Sequence, residues 1–255
     1  MLKARQRFSR ISNEKTAIIG MITLGGLDYS YATKKALSEA DIFIDAGCDA
    51  ILVTNYCKNS PAARVIYALA AVKNKYSGNG VKIGAAVFPN NMRRSFSIVR
   101  GFDLDFFYFD YVSGVYTKGP DFDSNVYSDF RREHPGVVIL GGVHPYGYIP
   151  LSSSSIEMDV REGMRRADAV VVSSDKSSLV EKVRKFSLIM ERDRDLKSER
   201  YPLVLFDPDL STADGLVASN LADGVILGPN VRNKTDPEAS LNIPRLKSYA
   251  CLAAI

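Results

Sequence analysis

The chain writes one short sentence three times, and that repetition restricts its fold more than any other feature. LADGVILGPN (221–230), AGCDAILVTN (46–55) and RADAVVVSSD (166–175) each pass from a small residue through Asp and a second small residue into a short apolar run, then into polar residues. FDLDFFYFD (102–110) is a looser copy. A helix that finishes at the small residue, turns through Asp and feeds a strand buried on both faces is the αβ step of a parallel sheet. Such sheets bind ligands at the carboxyl ends of their strands, whether closed into a barrel or open and doubly wound. The polar residues that follow each run are therefore the place to look for function.

Reading between the copies gives eight apolar runs with strand character: 16–24, 50–54, 81–88, 104–111, 136–144, 168–173, 201–207 and 223–228. Helical spacing fills the intervals, as over 30–46, where Ala32, Leu37, Ala40 and Ile44 share a face and Gly47 supplies a stop. Ser154 with Glu157, and Ser178 with Glu181, have capping-box spacing. Eight alternations at about 30 residues each predict an α/β fold of one domain, a (βα)8 TIM barrel over residues 16–255. Residues 1–15 read as a polar lead-in, with Lys3, Arg5, Arg7 and Arg10 forming a solvated arm.

Composition narrows the function classes. A hydrophobic fraction of 46% is enough for a sizeable core, and a formal charge of +4 with acids and bases interspersed leaves no nucleic-acid footprint. The basic start runs into the polar ISNEK, and no apolar run approaches a membrane span, so a cytoplasmic protein without membrane insertion is expected. Cys48, Cys57 and Cys251 suit neither a disulfide framework nor a metal site. Neither a metal nor a cofactor is expected.

The strand ends supply the candidates. His144 follows the fifth run, where an imidazole can act as acid, base or ligand; the bland reading ties it to a backbone carbonyl. Asp110 and Asp207 end the fourth and seventh runs and can serve as a base or as paired carboxylates, or simply as salt-bridge partners of Arg232 or Lys118. Asn55 ranks above Asn90 and Asn91 as an amide that orients a substrate. Tyr56, Tyr108, Tyr111 and Tyr146 offer aromatic walls. Ser173, Ser174 and Asp175 read as caps of the following helix.

Five stretches, IGMITL, AGCDAILVTNY, GAAVFPNN, VILGGVH and ADGVILGPNVR, together resemble the BtpA/SgcQ family from about residue 17 to 250. The resemblance implies a barrel of the ribulose-phosphate-binding type. Members are linked to photosystem I biogenesis in cyanobacteria or labelled nucleosidases. It also implies a phosphate cradle at Gly228, with Asn230 and Arg232 beside the substrate. The departures are large: where the family pattern has His, Glu, Asn, Arg and Asn, this chain has Thr23, Thr54, Ala86, Tyr108 and Asp110. The Gly-Ser-Gly turn after the seventh strand is here Phe206-Asp207-Pro208-Asp209, which removes a donor and adds two carboxylates.

Two functions compete. The first is an enzyme acting on a small polar substrate, a nucleoside or sugar, through His144, Asp110 and Asp207; it expects a deep pocket and a mouth where Asn55, Asp110, His144 and Asp207 meet. The second is a diverged barrel that serves as an assembly or scaffolding subunit, bound to a protein partner or to a second copy; it expects a mouth plugged by tyrosines. Fold cannot choose between them.

Overall fold

The computed structural model describes residues 4–12, 16–25, 28–56, 61–76, 78–88, 90–117, 119, 122–175, 177–193, 201–234, 236 and 239–253. Lys3, Cys57, Pro89, Lys118, Pro120 and the charged run 194–200 lie outside the described residues. Eight parallel strands pair in chain order and close on themselves: β1 (Ala17–Thr23), β2 (Ala50–Thr54), β3 (Lys82–Ala86), β4 (Phe106–Phe109), β5 (Val138–Gly142), β6 (Ala169–Val172), β7 (Leu203–Phe206) and β8 (Gly224–Leu227). Closure is made by β8 against β1, with Ile18 opposite Val225 and Ile19 opposite Ile226. After a short α1 (Ala4–Phe8), the helices alternate with the strands: α2 (Tyr29–Asp45), α3 (Ala63–Tyr76), α4 (Met92–Val99), α5 (Ser124–Glu133), α6 (Ile156–Arg166), α7 (Leu179–Arg192), α8 (Ala213–Asn220) and α9 (Ile243–Ala253). The (βα)8 barrel expected from the sequence is the fold. Among the described residues no helix is long and apolar enough to cross a membrane.

Two apolar layers follow from the two-residue period of a strand. Ile19, Met21, Leu52, Tyr108, Leu140, Val171, Val204 and Ile226 fill the barrel interior. Their neighbours one residue away, Ile18, Ile22, Ile51, Val53, Phe107, Ile139, Val170, Val225 and Leu227, join the cluster that packs against the helices. Every strand is thus buried on both faces, which is why each reads as a continuous apolar run.

The repeated Asp has a specific task. Asp49 accepts the N–H of Ile18 at 2.8 Å, Asp105 that of Ile83 at 2.9 Å, Asp168 that of Ile139 at 2.9 Å and Asp223 that of Leu203 at 3.0 Å. The backbone N–H of each of these aspartates returns a bond to the carbonyl of the same residue, at 2.7 to 3.0 Å. Each Asp therefore clamps the start of its own strand to the strand before it, pairing β2 with β1, β4 with β3, β6 with β5 and β8 with β7. The motif recurs at every second strand because one clamp serves two strands. All four clamps lie at the amino-terminal face, opposite the expected site.

This face corrects the reading of the amino-terminal arm. Phe8 and Ile11 are 5% and 3% exposed and extend the interior cluster, so α1 seals the barrel floor. Arg5 pairs with Asp223, Arg7 with Asp168 at 3.5 Å, and Arg10 donates to the Gly136 carbonyl at 2.8 Å. The arm is not a solvated terminus, because the clamp carboxylates it meets are buried and need cations. The capping boxes are also corrected: Ser155, not Ser154, caps α6 by accepting from Met158, and Ser178 makes no side-chain cap. Asp175 instead accepts the N–H groups of Ser177 and Ser178 ahead of α7.

Phe8→Ala should cost about 3 kcal/mol, the lower end for an aromatic truncation because the short α1 can undock and limit the loss. Asp168→Ala should cost about 2–3 kcal/mol by stranding the Ile139 N–H and leaving Arg131 and Arg7 without their carboxylate. Urea unfolding midpoints at constant m-value check both.

Candidate functional site

At the opposite, carboxyl-terminal face the interior pattern continues beyond the strands and builds an aromatic floor. Phe88 after β3, Tyr108 on β4, Phe206 at the end of β7 and Tyr56 after β2 touch ring to ring. Tyr56 lies 4.9 Å from Phe88 and 5.8 Å from Phe206, and Tyr108 stacks on Phe206 at 5.5 Å. A second group, Tyr111, Tyr116 and Tyr148, packs at 4.8 to 5.6 Å on the β4–β5 side. Between the two groups sits Asp110. Its carboxyl is 9% exposed as a residue and receives the phenols of Tyr108, at 3.5 Å, and Tyr148. Burial raises its pKa to about 6, against the lowering effect of those two phenols. Asn90, 2% exposed, fixes the backbone here by accepting the Asp110 N–H at 3.0 Å and donating to the Tyr111 carbonyl at 2.8 Å.

Asp207 has a different environment. Its carboxylate accepts the backbone N–H of Gly228 at 2.9 Å and that of Asn230 at 3.0 Å, and Asn230 Nδ2 donates to the Asp207 carbonyl at 2.7 Å. The N–H groups that the family resemblance would turn toward a phosphate are thus held by the protein's own carboxylate. Asp207 adopts φ 47°, a left-handed conformation that an ordinary side chain resists, to reach them. Burial lifts its pKa to about 7, opposed by the Asn230 and Gly228 N–H groups and by the charge of Arg232.

The sequence expected Asn55, Asp110, His144 and Asp207 to form one cluster; their hydrogen bonds run instead to different partners. Asp110 and Asp207 both act on the Tyr56 phenol, whose pKa rises first through burial and then through those two carboxylates. Asn55 brackets the β3 exit instead, donating to the Phe88 carbonyl at 2.8 Å and accepting the Phe88 N–H at 2.7 Å. His144 turns toward the helix layer: its Nε2 lies 2.6 Å from Asp159 on α6, and that same carboxylate oxygen accepts from Ser154 at 2.6 Å. His144, at φ 48°, is the other left-handed non-glycine among the described residues, held by the Tyr116 hydroxyl on its N–H and by Lys182 on its carbonyl.

Arg232 is a correction of another kind. It is fully buried, and its guanidinium grips Glu39 of α2 at 2.7 and 2.9 Å and the Ala239 carbonyl at 2.7 Å. Lys35 joins the same carboxylate at 2.7 Å. The cation ties the β8 exit to α2, with its hydrogen bonds on Glu39 and on the Ala239 and Met21 carbonyls; it reaches Asp207 only through its charge. Gly228 and Asn230, expected to hold phosphate and substrate, are engaged by Asp207, while Tyr146 is 67% exposed at the rim.

A cavity of about 680 Å³ opens between the β4–α5 segment and α6, lined by Tyr111, Tyr116, Phe122, Ser154, Asp159 and Arg166. It lies off the barrel axis, beside the His144–Asp159 pair, with neither Asp110 nor Asp207 in its wall. Among the described residues no group of three His, Cys, Asp or Glu side chains could hold a metal ion. The sequence reading missed Phe88, Phe206, Tyr148, Asp159 and Glu39. Strand parity was the available signal for two of them: counting by twos from Ala86 leads to Phe88, and from Val204 to Phe206.

No family model matches this chain, and no curated protein matches it. Solved structures do share its architecture. The tryptophan synthase alpha chain from Legionella pneumophila aligns with a TM-score of 0.60 at 13% identity over 99% of this chain and 97% of that one. Tryptophan synthase from M. tuberculosis gives 0.58 at 18% over 97% and 95%. Phosphoribosyl anthranilate isomerase from Thermococcus kodakaraensis gives 0.56 at 9% over 93% and 98%. All three are similar to this chain as TIM barrels, and at such identities the likeness is one of fold.

Three outcomes follow. Glu39→Gln should cost about 3 kcal/mol in chemical denaturation, since it leaves Arg232 buried without a counter-charge. Because the folded pKa of Asp207 lies above its unfolded value, near 3.9, folding retains a proton there, and stability falls as pH rises from about 4 through about 7, then levels. Asp207→Asn should flatten that decline by on the order of 2 kcal/mol, seen in unfolding free energies across that window. Asp207→Gly, which suits φ 47° and empties the cradle, should gain on the order of tenfold in calorimetric affinity for a sugar phosphate relative to the unmodified chain, as one screened like-charge contact is removed.

Proposed function

We propose that the protein is a barrel enzyme acting on a small polar, ring-bearing substrate of the nucleoside or sugar class, with Asp110 as the general acid–base group. One observation carries the reading: a buried carboxyl at a barrel strand end, titrating near pH 6 and surrounded by phenols and aromatic faces. A group with a pKa near the working pH exchanges protons most effectively, and strand ends at this face are where barrels place catalytic side chains. Tyr108 and Tyr148 hold the carboxyl by donating to it, and Tyr56, Tyr146 and Phe206 offer faces on which a base or a sugar ring stacks. The five segments that resemble the BtpA/SgcQ family favour the nucleoside-like choice. Above about pH 7, where it ionises, Asp207 acts as a built-in anion that disfavours a phosphate ester at Gly228. His144, oriented by Asp159, is a second candidate proton carrier on the α6 side.

The scaffolding alternative draws on a different observation, the ring-to-ring contacts of Tyr56, Phe88, Tyr108 and Phe206 across the mouth. The two part experimentally. An enzyme releases free base or reducing sugar from members of a nucleoside and glycoside panel, its kcat/KM rising through pH 6 as Asp110 ionises, and Asp110→Asn lowers kcat by about 10² to 10⁴ at unchanged stability. Absence of turnover across the panel, together with a mouth whose aromatic substitutions abolish capture of a defined protein partner, would favour the scaffold.

A further inference from the structure

Arg64 is out of place by every ordinary rule. It lies in the first turn of α3, on the same side as Val65, Ala68 and Leu69, and is only 4% exposed. Among the described residues no carboxylate pairs with its guanidinium, and its Nε has no hydrogen-bond partner. Its recorded neighbour is a ring face, that of Tyr29 at 6.0 Å, with Tyr67 set edge-on to Tyr29 at 5.1 Å. Among the described residues the other fully buried cation, Arg232, is answered by Glu39, and the partly buried Arg131 and Lys35 are answered by Asp168 and Glu39.

Three unfavourable terms coincide at this residue. A charge removed from water needs a counter-charge. A cation in a first turn opposes the positive end of the helix dipole, and α3 carries no acidic residue there to offset it. A buried N–H without an acceptor forfeits its hydrogen bond. The segments that lead into α2 and α3 supply no counter-charge: residues 25–27 and 55–62 contain neither Asp nor Glu. Asp28, beside Tyr29, is engaged in capping α2 through the N–H groups of Ser30 and Tyr31. One small anion would relieve all three terms at once, and α3 starts at the carboxyl-terminal face, where barrel ligands bind.

We propose that the α2–α3 corner is an oxyanion-binding site, in which Arg64 forks onto a carboxylate or phosphate group while Tyr29 covers the guanidinium and the α3 dipole adds its attraction. The site is separate from the Gly228 cradle that Asp207 fills, and it stands independently of the acid–base role of Asp110. An acidic substituent on the substrate, or a free oxyanion, satisfies the same chemistry.

Thermal unfolding and calorimetric titration of the full chain test this, with inorganic phosphate and malonate as probes and sodium chloride at matched ionic strength as the control. The expected result is a rise in Tm with at least one probe beyond the chloride control. Arg64→Met should weaken that probe at least tenfold and, in oxyanion-free buffer, be no less stable than the unmodified chain. Response to phosphate alone, to malonate alone or to both supports the site and identifies its ligand as a phosphate, a carboxylate or either. No response beyond chloride, or an equal response in Arg64→Met, overturns it. If Arg64→Met does not fold, modification of the unmodified chain by phenylglyoxal with peptide mapping decides: the probes should slow labelling of Arg64 at least tenfold, and unchanged labelling overturns the proposal.

Discussion

The clamp between an aspartate and the strand before it is the constraint on which the barrel rests. A parallel strand receives no hairpin to fix its register, and a slip of one residue would exchange its interior and exterior faces. Asp49, Asp105, Asp168 and Asp223 prevent that slip by bonding both the N–H and the C=O of one residue on the adjoining strand. Register then places Leu52, Tyr108, Val171 and Ile226 inward, and the same parity carries Asp110 and Phe206 to the mouth. The clamps also make four carboxylates at the barrel floor, which accounts for the basic arm that seals it.

The two faces manage charge in opposite ways. At the floor, carboxylates meet Arg5, Arg7, Arg131 and Lys82, so buried charge is neutralised and stabilising contacts accumulate. At the mouth, Asp110 meets phenols and Asp207 meets backbone N–H groups, with pKa values raised toward neutrality by burial. The two faces thus differ in how their buried carboxylates are stabilised, by cations at the floor and by phenols and backbone N–H groups at the mouth. Among the described residues His144 and Asp207 are the two left-handed non-glycines, Asp207 directly after β7 and His144 two residues beyond β5, both held by several side-chain or backbone contacts. Strain that persists because its surroundings over-determine it is characteristic of sites with a task.

The sequence by itself determined the fold and which polar residues lie at the carboxyl ends of its strands. The repeated Asp before an apolar run specified parallel αβ steps, and polar residues after each run marked the carboxyl-terminal face. Asp110 was legible as a strand-end carboxylate, and so was the carboxylate-rich turn at Asp207-Pro208-Asp209. What the sequence left open was the partner of each polar side chain, because partners here are far apart along the chain: Arg232 with Glu39, His144 with Asp159, Asn55 with Phe88, Asp207 with Gly228. Only tertiary structure decided that Arg232 is a buried strut, that Asn55 bonds to the Phe88 backbone and His144 to Asp159, and that Asp207 takes up the Gly228 and Asn230 N–H groups. Local pattern records burial and period, which are properties of neighbours in sequence. The pairing of buried charges and hydrogen bonds depends on which strand ends and helices the closed barrel brings together.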